Sequence, residues 1–563
     1  MEIKEEVAKV LKSVLKDVDV EKYLEVPPQA ELGNLAFTCF ELAKAERRNP
    51  KDIAIDIIDE IKLPKDSLIE RVEVRGAYIN FFFNWKKISE KLLEEILIKK
   101  EKYGCSSMGK RKNIMVEFAH PNTHKGLHIG HFRNICLGES LCRVLESTGH
   151  KVFRTNYQGD IGPHIAKALW SFINVYNCKV PKEKEKNKAE WLGELYAEAE
   201  KRMQDEKVAN GVTEINKKLY EGDKETMKLW KMTRKWSLDY FDGIYKELGT
   251  KFDKFYFESE VGERGMKIAE DILKKGIAKE SEGAIIIDLE KYGLGIFVLV
   301  SKEKTPLYPV KDLELAELQF SDFKVDKCIH VVSTEQNLYF KQLFKTFELI
   351  NSPGADKSCH LSYELVTLKE GKMASRLGNV ILYKQLRDKM IEKVLEEMKD
   401  REMKDKEEIA RSIGIGAMKY GMLKIGPEKV IFFDWENALK LEGNTGPYLQ
   451  YAHTRCKGIL EKAGKWKPSF KIEKLAAEEE QLVKALTKFT ETVEQAATDL
   501  RPHYICNYVY ELATVFDKFY EFCPVLKAET EQQKNFRLAL VLATKIVLEN
   551  ALNLVGMEVL EKM

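Results

Sequence analysis

The chain has 563 residues, 44% hydrophobic and 32% charged, with 92 Lys and Arg against 90 Asp and Glu for a formal charge of +2. That length calls for about three or four cooperating units, and the composition excludes a disordered or low-complexity chain. Near-neutrality leaves nucleic acid open as a partner, because a local basic face is enough for phosphate contacts.

The opening "MEIKEEVAKVLKSVLKDVDV" mixes acids, bases and apolar residues, which fits neither a secretory signal nor a transit peptide. No later apolar run is long enough to span a bilayer, so the expectation is a cytoplasmic protein without membrane contact. The ten cysteines are scattered with no CxxC spacing, which predicts reduced thiols and no zinc site.

Helical spacing over 6–18 and 41–61, followed by a strand over 75–85, predicts a small α/β module at residues 1–85. A helix over 86–104 then leads into a larger unit, 86–385. There "NIMVEFA" reads as a strand that breaks at Pro121, "HFRNICLGESLCRVLESTG" as a helix and "HKVFRTNYQGDIG" as a strand and turn. Strand, loop, helix, strand begins a parallel βαβ unit, whose ligands bind beyond the carboxyl ends of the strands. A helical, charge-rich insertion at about 175–280 interrupts it, and "GAIIIDL", "GIFVLVS" and "KCIHVVS" are expected to resume the sheet. From 386 to 440 the pattern is that of a helical connector, and 441–563 that of a helical bundle. The fold class is therefore α/β: an interrupted Rossmann-like parallel-sheet catalytic domain, a small α/β N-terminal domain and a C-terminal α-helical bundle.

The densest chemistry lies in "VEFAHPNTHKGLHIGHFRN", where four of the ten histidines fall between His120 and His131. His124 and His128 are four apart, as two metal ligands on one helical face would be. Pro121, Gly126 and Gly130 make a continuous helix there improbable, and no glutamate sits where a zincin has its base. A phosphate site fits better: a glycine-bearing turn after a first strand brings amides, a helix N-terminus and imidazoles to an anion, and Gly130 admits a flat base or ribose.

The string His128-Ile129-Gly130-His131 resembles the HIGH signature of class I aminoacyl-tRNA synthetases, and "GKMASRLGNVI" downstream resembles their KMSKS loop. Within that class the arginyl family is the close match over nearly the whole chain. "VEFAHPNTHKGLHIGH", "NYQGDIG", "WLGELYAEAEKR", "FDKFYFESEV" and "EGNTGPYLQYAHTR" are each similar to its motifs, and "GAYINFFFN" to its N-terminal domain.

The resemblance implies an enzyme that activates L-arginine with ATP, releases pyrophosphate and transfers arginine to the 3′ end of tRNA(Arg). ATP would enter as the magnesium complex, with no protein metal site. By the resemblance His128 and His131 hold phosphoryl oxygens, with Gly130, Lys372 and Ser375 completing the ATP site. Ser375 stands where the motif has its second lysine, Arg376 follows it, and Lys125 ahead of the histidine motif is expected to supply the missing charge. The resemblance places Tyr308, Asp312 and Glu258 around the guanidinium, with Asn122, Glu117 and Gln336 at the α-amino and carboxylate end. Tyr308 and Asp312 are four apart, so one helical turn puts both on one face. For tRNA, Tyr78 and Asn80 are the expected contacts of the N-terminal module and Tyr520 the anticodon-stacking residue. A monomer is expected.

Overall fold

The computed structural model describes residues 3–182, 187–302, 304–368, 381–400, 402 and 404–563. The chain divides into two compact units, one of Met1–Tyr103, Ala452–Thr490 and Tyr510–Asn550, the other of Gly104–Tyr451, Glu491–Val509 and Ala551–Met563.

In the first unit, α1 (Ile3–Val14) buries Ile3, Val7, Ala8, Val10 and Leu11, the one-sided stripe its spacing predicts. Strands β1 (Leu24–Glu25) and β2 (Leu35–Thr38) precede α2 (Phe40–Glu46) and α3 (Pro50–Glu60). The single helical pattern expected over 41–61 is thus two helices. Arg47 turns left-handed at φ 52°, and Asn49 caps α3 through Lys51 N, with Pro50 at the first helical position. Proline disfavours helix in the residue before it, so the break is local chemistry.

Strands β3 (Ile69–Arg75) and β4 (Tyr78–Phe83) complete an antiparallel sheet of order β1-β2-β4-β3. Being internal, β4 is covered from Ile79 to Phe83, and Asn80 is only 3% exposed. This corrects the expectation that Asn80 presents its amide on a tRNA-facing surface. Tyr78, at the strand's start, keeps partial exposure and packs edge-on against Phe40. Asn84 then caps α4 (Trp85–Lys99). Just after it, Tyr103 donates to Leu486 O at 3.2 Å and stacks on Phe489, and the Asn550 amide donates to Lys100 O and Tyr103 O. These contacts bind the N-terminal module to C-terminal helices of the same unit.

The second unit is built on β5 (Asn113–Glu117), α5 (Ile129–Ser147) and β6 (Lys151–Gln158), the expected βαβ start. Four helices form the insertion: α6 (Pro163–Asn174), α7 (Lys188–Arg202), α8 (Glu206–Glu221) and α9 (Lys224–Glu247). Ile165, Leu169, Val212, Ile215, Leu219 and Trp230 close a core of their own there. Strand β7 (Lys254–Phe257) returns to the main sheet, and α10 (Glu263–Lys274) follows.

Strands β8 (Lys279–Ser281), β9 (Ala284–Asp288) and β10 (Ile296–Val300) then pair antiparallel in a separate sheet. "GAIIIDL" and "GIFVLVS" therefore do not resume the parallel sheet, because their connection is too short for the crossover that parallel neighbours require. After α11 (Tyr308–Asp322), β11 (Lys327–Ser333) does resume it, parallel to β5. With α12 (Asn337–Leu349) and β12 (Ser358–Tyr363) the sheet is complete in the order β12-β11-β5-β6-β7. The first crossover moves to one side of β5 and the later one to the other, so the crevice of a doubly wound sheet opens where β5 ends.

Short strands β13 (Val366–Leu368) and β14 (Ile431–Phe433) pair in parallel, with α13 (Tyr383–Glu397) and α14 (Lys406–Leu423) between them in sequence. Beyond α15 (Trp435–Ala438) the chain is helical: α16 (Gly446–Ala463), α17 (Ala477–Thr487), α18 (Phe489–Asp499), α19 (His503–Phe522) and α20 (Glu531–Leu554). Val483, Phe489, Phe516, Phe536, Leu540 and Leu548, all of the first unit, are buried. No helix among the described residues is long and apolar enough to cross a membrane.

Candidate active site

Where β5 ends the backbone is forced. Ala119, His120 and His124 take φ values of 80°, 50° and 63°, a region costly for any residue with a Cβ. Packing over-determines them. Asn134 of α5 accepts from Ala119 N and donates to Val331 O and Tyr363 Oη, while Thr123 N donates to Gly159 O. His124 is fully buried, with Nε2 2.7 Å from Thr233 Oγ1 and its amide on Ser237 Oγ. It ties the loop to α9 rather than facing a ligand. Among the described residues no group of three His, Cys, Asp or Glu could hold a metal ion.

His128 is the N-cap of α5, its Nδ1 accepting from Gly130 N at 3.1 Å and His131 N at 3.3 Å. His131 Nδ1 accepts in return from His128 N at 3.3 Å, and the two rings stack with centroids 3.6 Å apart. A ring whose Nδ1 accepts carries its proton on Nε2, so this network assigns each imidazole a single Nε2–H donor. Burial, and then the neighbouring Lys125, push His128 down to about 4; burial, and then His128 itself, push His131 well below the usual range. Both rings are neutral donors at physiological pH.

The helix amides are not free for an anion as the sequence suggested. Ile129 N donates to Ile381 O at 2.9 Å, and the next two amides are spent on His128. The donors left facing outward are the Nε2–H groups of the two rings. A Cβ at Gly130 would sit 3.0 Å from the His128 ring, so the glycine also leaves room for the cap.

The second signature, with Lys372, Ser375 and Arg376, lies outside the described residues, but its flanks are placed. Arg133 of α5, 1% exposed, donates to Glu364 O, Leu365 O, Pro427 O and Lys429 O around the β13–β14 pair. On the far side Leu382 bridges to His128, and Tyr383 N donates to Leu127 O at 2.8 Å. Both ends of the segment are therefore fastened to the histidine loop and its helix. Lys125 is half-buried with Nζ 4.6 Å from the centre of the Tyr196 ring on α7, while Lys167 lies at 5.8 Å from the same ring and pairs with Glu200.

Below the loop is a cavity of about 460 Å³. Asn122, Glu117, Glu258, Tyr308, Asp312 and Gln336, the whole expected amino-acid set, line it. Asn122 comes from the strained loop, Glu117 from the end of β5 and Glu258 from the end of β7. Tyr308 opens α11, Asp312 stands one turn on, and Gln336 lies in the turn before α12. Tyr308 is 65% exposed and stands at the mouth.

The acids differ in partners. His330 Nδ1 lies 3.0 Å from Glu117 Oε1, and Gln319 donates to Oε2. Burial opposes the Glu117 charge, but His330 overrides it and holds the carboxyl at about 2. For His330 burial again opposes the charge, and Cys328 and Glu117 raise it well above the histidine range. Asp312 accepts from Tyr339 Oη and has no cationic partner among the described residues. Burial first, with Glu117 and Glu258 adding to it against the Tyr339 hydroxyl and the more distant charge of His330, pushes it up to about 7. Tyr157 Oη, at the cavity wall, is buried without a hydrogen-bond partner among the described residues.

His330, Tyr339, Tyr157 and Gln319 escaped the sequence reading. Each sits in an apolar strand or an amphipathic helix, and only the histidine inside "KCIHVVS" broke its pattern. Tyr520 of α19 is 46% exposed with the Arg455 guanidinium over its ring, a surface position rather than a core one.

The description "tRNA synthetases class I (R), catalytic domain" matches residues 92–435, "Arginyl tRNA synthetase N terminal domain" residues 1–83, and "DALR anticodon binding domain" residues 449–563. The arginine–tRNA ligase of Clostridium acetobutylicum is 35% identical over the full length of both chains. That of Clostridium perfringens is 36% identical over 97% of this chain and 96% of its own. The Thermus thermophilus arginyl-tRNA synthetase structure superposes with TM-score 0.82 at 25% identity, covering 99% of each chain. The Plasmodium falciparum arginyl-tRNA synthetase shares the fold, with TM-score 0.77 at 21% identity over 100% of this chain and 98% of its own.

Proposed function

The chain belongs to the class I arginyl-tRNA synthetases, and on that premise we propose how its own residues divide the work of an ATP-dependent arginine–tRNA ligase. The arginine carboxylate attacks the α-phosphorus of ATP, the bond to the β-phosphate breaks, and pyrophosphate leaves. A terminal ribose hydroxyl of tRNA then attacks the adenylate carbonyl and AMP departs.

Positioning and charge stabilisation carry both steps. His128 and His131 offer two fixed Nε2–H donors to the phosphoryl oxygens, and neutrality suits them to donate without holding the product as an ion pair would. Gly130 keeps that geometry, and Lys372 and Ser375 belong to the same ATP site. Magnesium, carried on the ATP phosphates, supplies positive charge at the leaving pyrophosphate. The donor set fits this arrangement, with neutral imidazoles available to the anion. Lys125 lies close enough to depress His128 and His131, which supports its role as the cation replacing the lysine absent at Ser375.

Asp312, Tyr308 and Glu258 receive the guanidinium, and Asn122, Gln336 and Glu117 fix the amino-acid end, Glu117 acting through His330 and Gln319. Tyr78 and Tyr520 contact tRNA from modules at 1–85 and 441–563, flanking the catalytic unit 86–385 and the connector 386–440. The protein works in the cytoplasm as a monomer, without a zinc ion.

One observation carries the reading: one cavity under the histidine loop gathers all six expected side chains, Asp312 among them without an ion pair among the described residues. Incubating total tRNA and ATP with each amino acid in turn tests it. Arginine is the one attached, and ATP–pyrophosphate exchange requires tRNA; attachment of a different amino acid overturns the assignment.

A further inference from the structure

Three carboxylates line the cavity, and two of them have a resident cation: Glu117 has His330, and Glu258 has Lys311 at 2.6 Å. Lys311 is not part of the cavity wall. It reaches Glu258 Oε1 from behind, with Nζ 5.9 Å from the ring centres of both Tyr220 and Tyr308. Lysine and glutamate are each 7% exposed, so water screens the pair little. The other oxygen, Oε2, points to Gly159 and Asn122, where a Cβ on Gly159 would lie 3.3 Å from it and 2.1 Å from Asn122 Oδ1.

The neighbouring residue Asp312 faces Tyr339 instead, because successive helical positions point about 100° apart. Ser259, next to Glu258, donates its amide and hydroxyl to buried Asp160, which is itself paired with Arg234. Glu258 is thereby fixed on both sides.

We infer that Lys311 is a specificity-determining positioning residue: its ammonium cancels the Glu258 charge and aims one oxygen into the cavity, leaving Asp312 as the single uncompensated acid for a single guanidinium. The inference rests on reading the cavity as the arginine site. Glu258 then contributes shape and one acceptor, while Asp312 contributes the charge. A pocket with both acids uncompensated would repel itself when empty, whereas one with neither would not distinguish arginine from neutral citrulline.

A double-mutant cycle on the full-length enzyme, read as the arginine KM and kcat in aminoacylation with tRNA, separates charge balance from direct contact. Removing one partner of a buried pair leaves a bare charge, so Glu258→Gln raises the arginine KM about 30-fold and Lys311→Met about tenfold. Removing both restores the balance, and the double variant returns to within about fivefold of the parent. Saturated kcat changes by less than about threefold throughout, because neither group touches ATP. Lys311→Arg keeps the charge and the parental KM. A double variant as poor as Glu258→Gln alone, or a Lys311→Arg as poor as Lys311→Met, overturns the inference. If the single variants do not fold, the double variant and Lys311→Arg still decide it. A parent that attaches an amino acid other than arginine refutes the functional reading instead.

Discussion

The histidine loop and the cavity beneath it meet at Asn122, yet they handle burial in opposite ways. Around His128 and His131 burial removes charge, leaving neutral rings whose single donors are fixed by their own helix cap. In the cavity acids are paired instead: Glu117 has His330 and Glu258 has Lys311, while Asp312 makes no ion pair among the described residues and is left to ligand. An anionic substrate can be met by neutral dipoles, since it brings its own cation. A guanidinium needs a negative charge that the empty protein must tolerate, and Asp312 tolerates it by titrating near 7.

The largest test of this contrast is Asp312→Asn, which should lower kcat/KM for arginine on the order of 10³-fold while sparing the KM for ATP. The same change should raise the melting temperature of the ligand-free protein above pH 7. A carboxyl whose folded value lies near 7, above its unfolded value, makes the fold less stable as pH climbs between the two, and the amide removes that loss. A melting temperature unchanged or lowered at pH 8 would deny the strain assigned to Asp312.

Lys125→Ala should come next, cutting adenylate formation about 30-fold with arginine binding little changed, and Ser375→Lys should restore part of it. Equal rates for Lys125→Ala and the parent would shift the missing charge to Arg376 or to tRNA. The pH profile separates the two regions without mutation. Below pH 7 Asp312 takes up a proton, so kcat/KM for arginine should fall about tenfold per unit, whereas the KM for ATP should stay flat to about pH 5. Parallel profiles for both substrates would erase the distinction.

Smallest is Tyr520→Ala, which should raise the KM for tRNA about tenfold, as loss of one stacked base would, and leave the arginine KM alone.

Much of the site was legible because its residues sit in short, ordered motifs. "HPNTHKGLHIGH" contains a strand break, a helix cap and two donors within one local segment, and local chemistry is what a sequence records. Tyr308 and Asp312 were legible through the resemblance of "TPLYPVKDLELAE" to a family motif, with a helical spacing that agrees with it. Asn80 misled because the alternation of polar and apolar residues reports one covered face, whereas burial along β4 does not alternate and runs unbroken from Ile79 to Phe83. The hairpin of β9 and β10 misled because apolar runs reveal strands but not their partners.

By itself the sequence determined the order of the signatures, the strand–loop–helix that presents the histidines, and the acids available to meet a guanidinium. Tertiary structure alone decided what each of those acids meets. Glu117 meets His330 at a separation of 213 residues, Glu258 meets Lys311 at 53, and Asp312 meets Tyr339 at 27. The ionisation of a buried group is set by whatever surrounds it in space, and chain order does not encode that surrounding.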